Sequence, residues 1–148
     1  VSDAPVCSTD LFPTALAAAG LGIPANLDGV NLLPLLTGGR KPRREALYWH
    51  YPHYSNQGGA PGGAIRSGNW KLIEFYEDQR LELYNLDSDP GERTNLARRE
   101  AKRAAALRTR LDRWRRETRA IMPTPNPNYD PAKADQGLTG AEPATSPV

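Results

Sequence analysis

Cysteine is almost missing from this chain: Cys7 is the only one in 148 residues, which excludes an internal disulfide and any thiolate metal cluster. A nucleophilic thiol needs a basic neighbour, and Val6, Ser8 and Thr9 supply none in sequence, so Cys7 reads as a small buried hydrophobe. Histidine is scarce as well. His50 and His53 are the only two, leaving no third ligand nearby for a histidine-based metal site. Long apolar runs are also lacking. The longest, Leu11 to Leu21, is broken by Pro13 and Gly20 and falls short of the roughly 20 residues that cross a bilayer. The first residues carry neither an initiator Met nor a basic stretch ahead of an apolar one. They read as the interior of a longer protein and not as a secretory signal.

Proline, by contrast, is plentiful but uneven, with six of 14 between Pro123 and Pro147. That crowding predicts an extended or disordered tail over 123–148 and a compact part that ends near Met122. Charge is uneven too. The chain is +2 overall, yet Arg98 to Arg119 holds ten Lys or Arg against three acids, so the remainder is net acidic.

Two short helices are expected first. Ser8 and Thr9 are cap-forming residues, Asp10 and Pro13 suit a first turn, and Gly20 suits a left-handed C-terminal cap, which predicts a helix over Thr9 to Ala19. Asn31 caps a second through Leu32, Leu33, Leu35 and Leu36, stopped by Gly38 and Gly39. Five leucines between Leu27 and Leu36 are too many to leave in water and call for a packing partner.

After the basic loop Arg40 to Arg44 the pattern changes to strands. Ala46 to Tyr51, Ala64 to Arg66, Trp70 to Tyr76 and Leu81 to Asn85 are short β-type runs separated by turn residues such as Ser67-Gly68-Asn69, the signature of a meander of three to four strands. Asp87 to Glu92 reads as a turn with Pro90-Gly91 supplying the bend; it lacks the spacing of a calcium loop. A long helix follows from about Ala97 to Thr118, with Ala97, Ala101, Ala104, Leu107, Leu111, Trp114 and Thr118 on one stripe that should lie on the sheet. The fold class is α+β, a small antiparallel sheet covered by a long C-terminal helix. The domains are 1–44, holding the two short helices, then 45–122, then the tail 123–148.

Three residues are candidates for ligand contact. His50 sits on a strand, and His53 begins a loop that Pro52 forces out of the sheet and that Gly58 to Gly63 make backbone-accessible. Arg66 follows that loop, and its fork matches an oxyanion such as sulfate. The plainer alternatives are a core hydrogen bond for His50, a solvated ring for His53, and a salt bridge from Arg66 to Glu74 or Glu82. The basic helix could track phosphates, but Trp114 lies on its apolar stripe and the arginines are spread around it, so nucleic acid is not the expected partner. A membrane is not expected either.

Ser8-Thr9-Asp10-Leu11-Phe12-Pro13-Thr14 and Leu27-Asp28-Gly29-Val30-Asn31-Leu32-Leu33-Pro34-Leu35-Leu36 resemble the stretch that closes the large α/β domain of the arylsulfatase family. Ala64-Ile65-Arg66-Ser67-Gly68-Asn69-Trp70-Lys71-Leu72-Ile73, Leu83-Tyr84-Asn85-Leu86 and Asp89-Pro90-Gly91-Glu92-Arg93-Thr94-Asn95-Leu96 resemble its C-terminal subdomain, and the likeness runs from Val6 to Met122, or to Pro131. The resemblance implies a sulfuric-ester hydrolase of the alkaline-phosphatase-like superfamily, acting on an aryl sulfate or a sulfated carbohydrate. It implies a formylglycine nucleophile matured from a Cys/Ser-x-Pro-Ser/Ala-Arg motif and a divalent ion, usually calcium.

Cys7 is followed by Ser8-Thr9-Asp10, so that motif is not here. The nucleophile and metal ligands are then expected in an upstream large sulfatase domain, the partner of this chain, and no catalytic group or metal ligand within it. Its share is cleft shape and substrate contact, through His50, His53 and Arg66. A periplasmic or secreted location is implied by the family alone. Two alternatives stand beside this: a related phosphodiesterase or phosphonate hydrolase on the same scaffold, and an inactive stand-alone interaction module.

Overall fold

The computed structural model describes residues 2–55 and 59–130. Within them the chain divides into two compact units, one ending at Leu47 and the next beginning at Tyr48. Among the described residues no helix is long and apolar enough to cross a membrane.

The first unit holds a 3-10 turn, Ser8–Asp10, that runs into helix α1 (Leu11–Ala18), and a single-turn helix α2 (Leu33–Leu36). Asp10 organises this unit from a position with no solvent exposure. Its carboxylate accepts the N–H of Cys7 and of Val30, each at 2.9 Å. Both oxygens also meet the Arg44 guanidinium. Sequence reading placed Asp10 in an ordinary first helical turn; the structure makes it a buried ion-paired hub, because the basic loop folds back over the turn. Thr14 adds a second tie, accepting the N–H of Leu32 at 2.9 Å. Gly29 permits this close approach, since a Cβ there would stand 2.0 Å from the Thr9 carbonyl oxygen.

The second unit is a four-stranded sheet in the order β1 (Leu47–Tyr51), β2 (Gly62–Ser67), β3 (Trp70–Phe75) and β4 (Leu81–Asn85). β2 and β3 are antiparallel with Ile65 opposite Leu72, and β3 and β4 are antiparallel with Leu72 opposite Leu83. Because side chains alternate across a strand, Ile65, Leu72 and Leu83 share one face, and all three are fully buried there. Helix α3 (Ala101–Glu117) covers that face with Ala104, Leu107 and Leu111. Each Leu or Ile side chain buried this way stabilises the fold by about 2 kcal/mol.

α3 starts four residues later than its apolar spacing predicts. Asn95 takes over the preceding segment, its side-chain oxygen accepting the N–H of Ala97 at 2.9 Å and of Leu83 at 3.1 Å, and residues 97–100 form turns. Trp114 lies on the apolar stripe as its spacing predicts, stacked on Tyr48 with ring centroids 5.0 Å apart. The helix also reaches an acid in the sheet. Glu74, 4% exposed, faces α3 and receives Arg108 Nε at 2.8 Å and the Arg115 guanidinium.

Candidate functional site

Alternation along β1 decides what each of its aromatic residues can do. Tyr48 and His50 point toward α3, whereas Trp49 and Tyr51 point to the opposite face, which α3 leaves open. On that open face Ala64 and Arg66 of β2 stand beside Lys71, Ile73 and Phe75 of β3. Together these strands form a shallow groove of about 440 Å3, with Trp49, Tyr51, Arg66, Lys71, Ile73 and Phe75 along it. Trp49 is 44% and Tyr51 52% exposed, so flat apolar rings and a cationic edge are both offered to solvent.

Among the described residues, Arg66 is the cation this groove leaves available. Its Nε reaches the Gly68 carbonyl at 3.5 Å, a weak tether that steers the fork without consuming it. Neither Glu74 nor Glu82, its expected salt-bridge partners, pairs with it. Glu74 lies on the other face with Arg108 and Arg115, and Glu82 is bonded by Arg80 and by the Tyr84 hydroxyl. Burial, with the Glu82 contact adding to it, pushes the Tyr84 phenol up to about 12. Lys71 is neutralised by Glu92, at 2.7 and 2.8 Å, so the groove's excess positive charge sits on Arg66.

His50 and His53 part company. The carbonyl oxygen of Ile121 can only accept, so His50 Nε2 donates to it, at 2.8 Å, and Nδ1 shares a hydrogen bond with the Tyr76 hydroxyl at 2.6 Å. Both ring nitrogens are therefore engaged, and His50 ties β1 to the segment after α3. Burial raises the Tyr76 phenol above its ordinary value. Gly63 makes room for this arrangement, because a Cβ there would lie 2.4 Å from the Tyr76 hydroxyl. His53 is exposed and stands edge-on to Tyr51, centroids 5.6 Å apart. The neighbouring Tyr54 donates its hydroxyl to Glu77, anchoring the start of the loop. The structure thus sets Arg66 and Tyr51, which His53 meets edge-on, along one groove and sends His50 to the other side of the sheet.

Trp49, Tyr51 and Lys71 were not singled out from sequence as site residues. The signal that finds Trp49 and Tyr51 is the period of two in Tyr48-Trp49-His50-Tyr51, which sets His50 against its neighbours. The catalytic centre of a sulfatase does not fit the residues present. Cys7 lacks the surrounding Pro and Arg and its sulfur lies 2.9 Å from the Thr9 hydroxyl. Among the described residues no group of three or more His, Cys, Asp or Glu is placed to hold a metal ion. In the 87–92 turn, Asp89 accepts the backbone N–H of Arg93 and Thr94, both at 2.9 Å, which lowers its pKa.

Comparison with known proteins gives this geometry a family. Residues 1–117 match the model for the N-sulphoglucosamine sulphohydrolase C-terminal family. The chain is 34% identical over 94 residues to a Delta 4,5-hexuronate-2-O-sulfatase of Bacteroides thetaiotaomicron, an alignment that takes in 60% of this chain and 19% of that enzyme. It superposes on the solved structure of a 2-O GAG sulfatase with a TM-score of 0.66 at 30% identity, over 75% of this chain and 25% of the other. A phosphonate monoester hydrolase from Silicibacter pomeroyi also superposes, with a TM-score of 0.55 at 26% identity, over 82% of this chain and 26% of that one. The chain spans about a fifth of the length of the sulfatase relative it matches, and within that span its four strands, covering helix and two leading helices place it in the C-terminal family of the N-sulphoglucosamine sulphohydrolase type of sulfatase.

Proposed function

We propose that the protein to which this chain belongs hydrolyses sulfate esters on sulfated carbohydrates, and that this chain forms a wall of the substrate cleft. The observation that carries the reading is the unneutralised Arg66 fork beside the exposed rings of Trp49 and Tyr51. A guanidinium binds sulfate or carboxylate in two parallel hydrogen bonds. Exposed indole and phenol rings offer apolar faces to the C–H faces of a pyranose while excluding water from the neighbouring ion pair. The relatives named for sulfated uronic acids and glycosaminoglycans support a substrate carrying both features. The formylglycine nucleophile and the divalent cation, calcium by family, belong on this reading to the upstream domain.

Arg66→Ala in the full-length, matured enzyme should raise KM for a sulfated disaccharide by about 10- to 100-fold with a smaller change in kcat, since a lost charge-assisted contact costs about 1.5–3 kcal/mol. His53→Ala should lower turnover more mildly, and His50→Ala should act through stability alone. An unchanged KM in Arg66→Ala would remove the groove from the binding site.

The second reading, a phosphonate or phosphodiester hydrolase, has the Silicibacter pomeroyi likeness in its favour. Arg66 serves either oxyanion equally, so the acid released from matched sulfate and phosphonate esters separates the two.

A further inference from the structure

α3 has two opposed stripes, an inner apolar one and an outer basic one. At 3.6 residues per turn, Ala104, Leu107 and Leu111 face the sheet, and Lys102, Arg113 and Arg116 fall on the side diametrically away from it. Arg98 and Arg99 precede the helix and Arg119 follows it; all six cations are exposed. Four other basic residues of this segment are engaged. Arg108 and Arg115 bind Glu74, Arg110 donates to Ser67 at 2.8 Å, and Arg103 lies over the Trp70 ring at 4.3 Å. Among the described residues the six outer cations form no ion pair. Of the segment's acids, Glu100 and Asp112 are taken by Arg103 and Arg115, which leaves Glu117 alone near the stripe.

We infer that this outer face of α3 is a docking surface for a sulfated polysaccharide chain, separate from the groove on the other side of the sheet. The inference rests on the sulfated-carbohydrate reading above for the identity of its partner. Lys102 to Arg116 spans about 21 Å at 1.5 Å per residue, a line of charge suited to a linear polyanion. Single-stranded nucleic acid fits less well, because its bases call for exposed aromatic platforms. Trp114 is committed to Tyr48 and Trp70 to Arg103. A sulfated glycan has no π-face to stack and asks only for spaced cations. Holding the polymer on α3 raises its effective concentration at the cleft.

The test uses the full-length protein, heparin as the polyanion, and the variant Lys102→Gln/Arg113→Gln/Arg116→Gln. Heparin affinity at physiological salt should fall about tenfold or more, and the slope of log affinity against log salt should flatten by roughly two, as expected for three lost cation contacts on a single-chain polyanion. The control Arg40→Gln/Arg43→Gln/Arg93→Gln removes the same charge elsewhere and should leave both unchanged. A thermal melt establishes that the triple variant is folded. Turnover of a sulfated disaccharide should be unaffected while KM for the polymer rises. An unchanged heparin slope overturns the proposal, as does an equal loss in the control. Single-stranded DNA bound as tightly as heparin, and lost in the same variant, overturns it in favour of a nucleic-acid surface. Absence of disaccharide turnover in the unmodified protein strikes the sulfatase reading alone, because heparin binding is measured independently of it.

Discussion

At the scale of single residues, two buried acids each hold one unit together from within, and neither is part of the candidate site. Asp10 has zero exposure and faces Arg44, whose side chain is 11% exposed. Asp10→Ala would strand that guanidinium and two backbone donors, and breaking a buried pair on one side costs about 3–5 kcal/mol. Urea denaturation of the full-length protein should show a midpoint loss of that order in the transition that includes this unit. Burial acts to raise the Asp10 pKa, but the Arg44, Val30 and Cys7 hydrogen bonds outweigh it and hold the carboxyl down at about 2. A depressed folded-state pKa adds stability that is fully present above the unfolded value of 3.8 and is lost as pH falls through about 2. Acid titration of stability should therefore steepen between those values and become flatter in Asp10→Asn. Glu74→Gln should likewise cost about 3 kcal/mol, since Arg115, 7% exposed, would lose its buried anion and keep only the half-exposed Asp112.

At the scale of elements, α3 and the helix-facing side of the sheet depend on Leu111, which has no exposure. Leu111→Ala should cost about 2–5 kcal/mol through lost transfer energy and the remaining cavity, read as a lowered Tm. Gly29→Ala should be at least as damaging in the first unit, because backbone at 2.0 Å cannot give way as a side chain can. Most of these elements were legible in the sequence. Gly68, at φ 58°, marks the turn between β2 and β3, and Leu107 and Leu111 mark the inner helical stripe. The start of α3 was not legible, since Asn95 bonding Ala97 and Leu83 is a contact across the sheet edge with no trace in helical spacing. The site was half legible. Arg66 was visible from its place after a glycine-rich loop. The separation of His50 from His53 depends on which face of β1 meets α3, and that is settled by Tyr76 and Ile121, 26 and 71 residues away from His50. Glu74 was hidden for a related reason, an acid at an inward strand position made tolerable only by arginines from a distant helix.

At the scale of the whole molecule, the first unit presents Leu11 at 68%, Phe12 at 57% and Leu36 at 69% exposure, more large apolar surface than a small unit keeps in water without a purpose. On the proposed reading, an upstream sulfatase domain covers this surface. Residues 1–148 expressed alone should bind a hydrophobic dye strongly and aggregate, and the full-length protein should do neither; a monodisperse, dye-silent chain would mean that this surface needs no partner. The central claim is the chemistry of the whole protein, and the most direct test is a competition. The matured full-length enzyme is offered a sulfated disaccharide and a phosphonate monoester, and inorganic sulfate and released alcohol are quantified. The account predicts sulfate release with a kcat/KM above that for the phosphonate. Preference for the phosphonate ester, or no sulfate release at all, would contradict it.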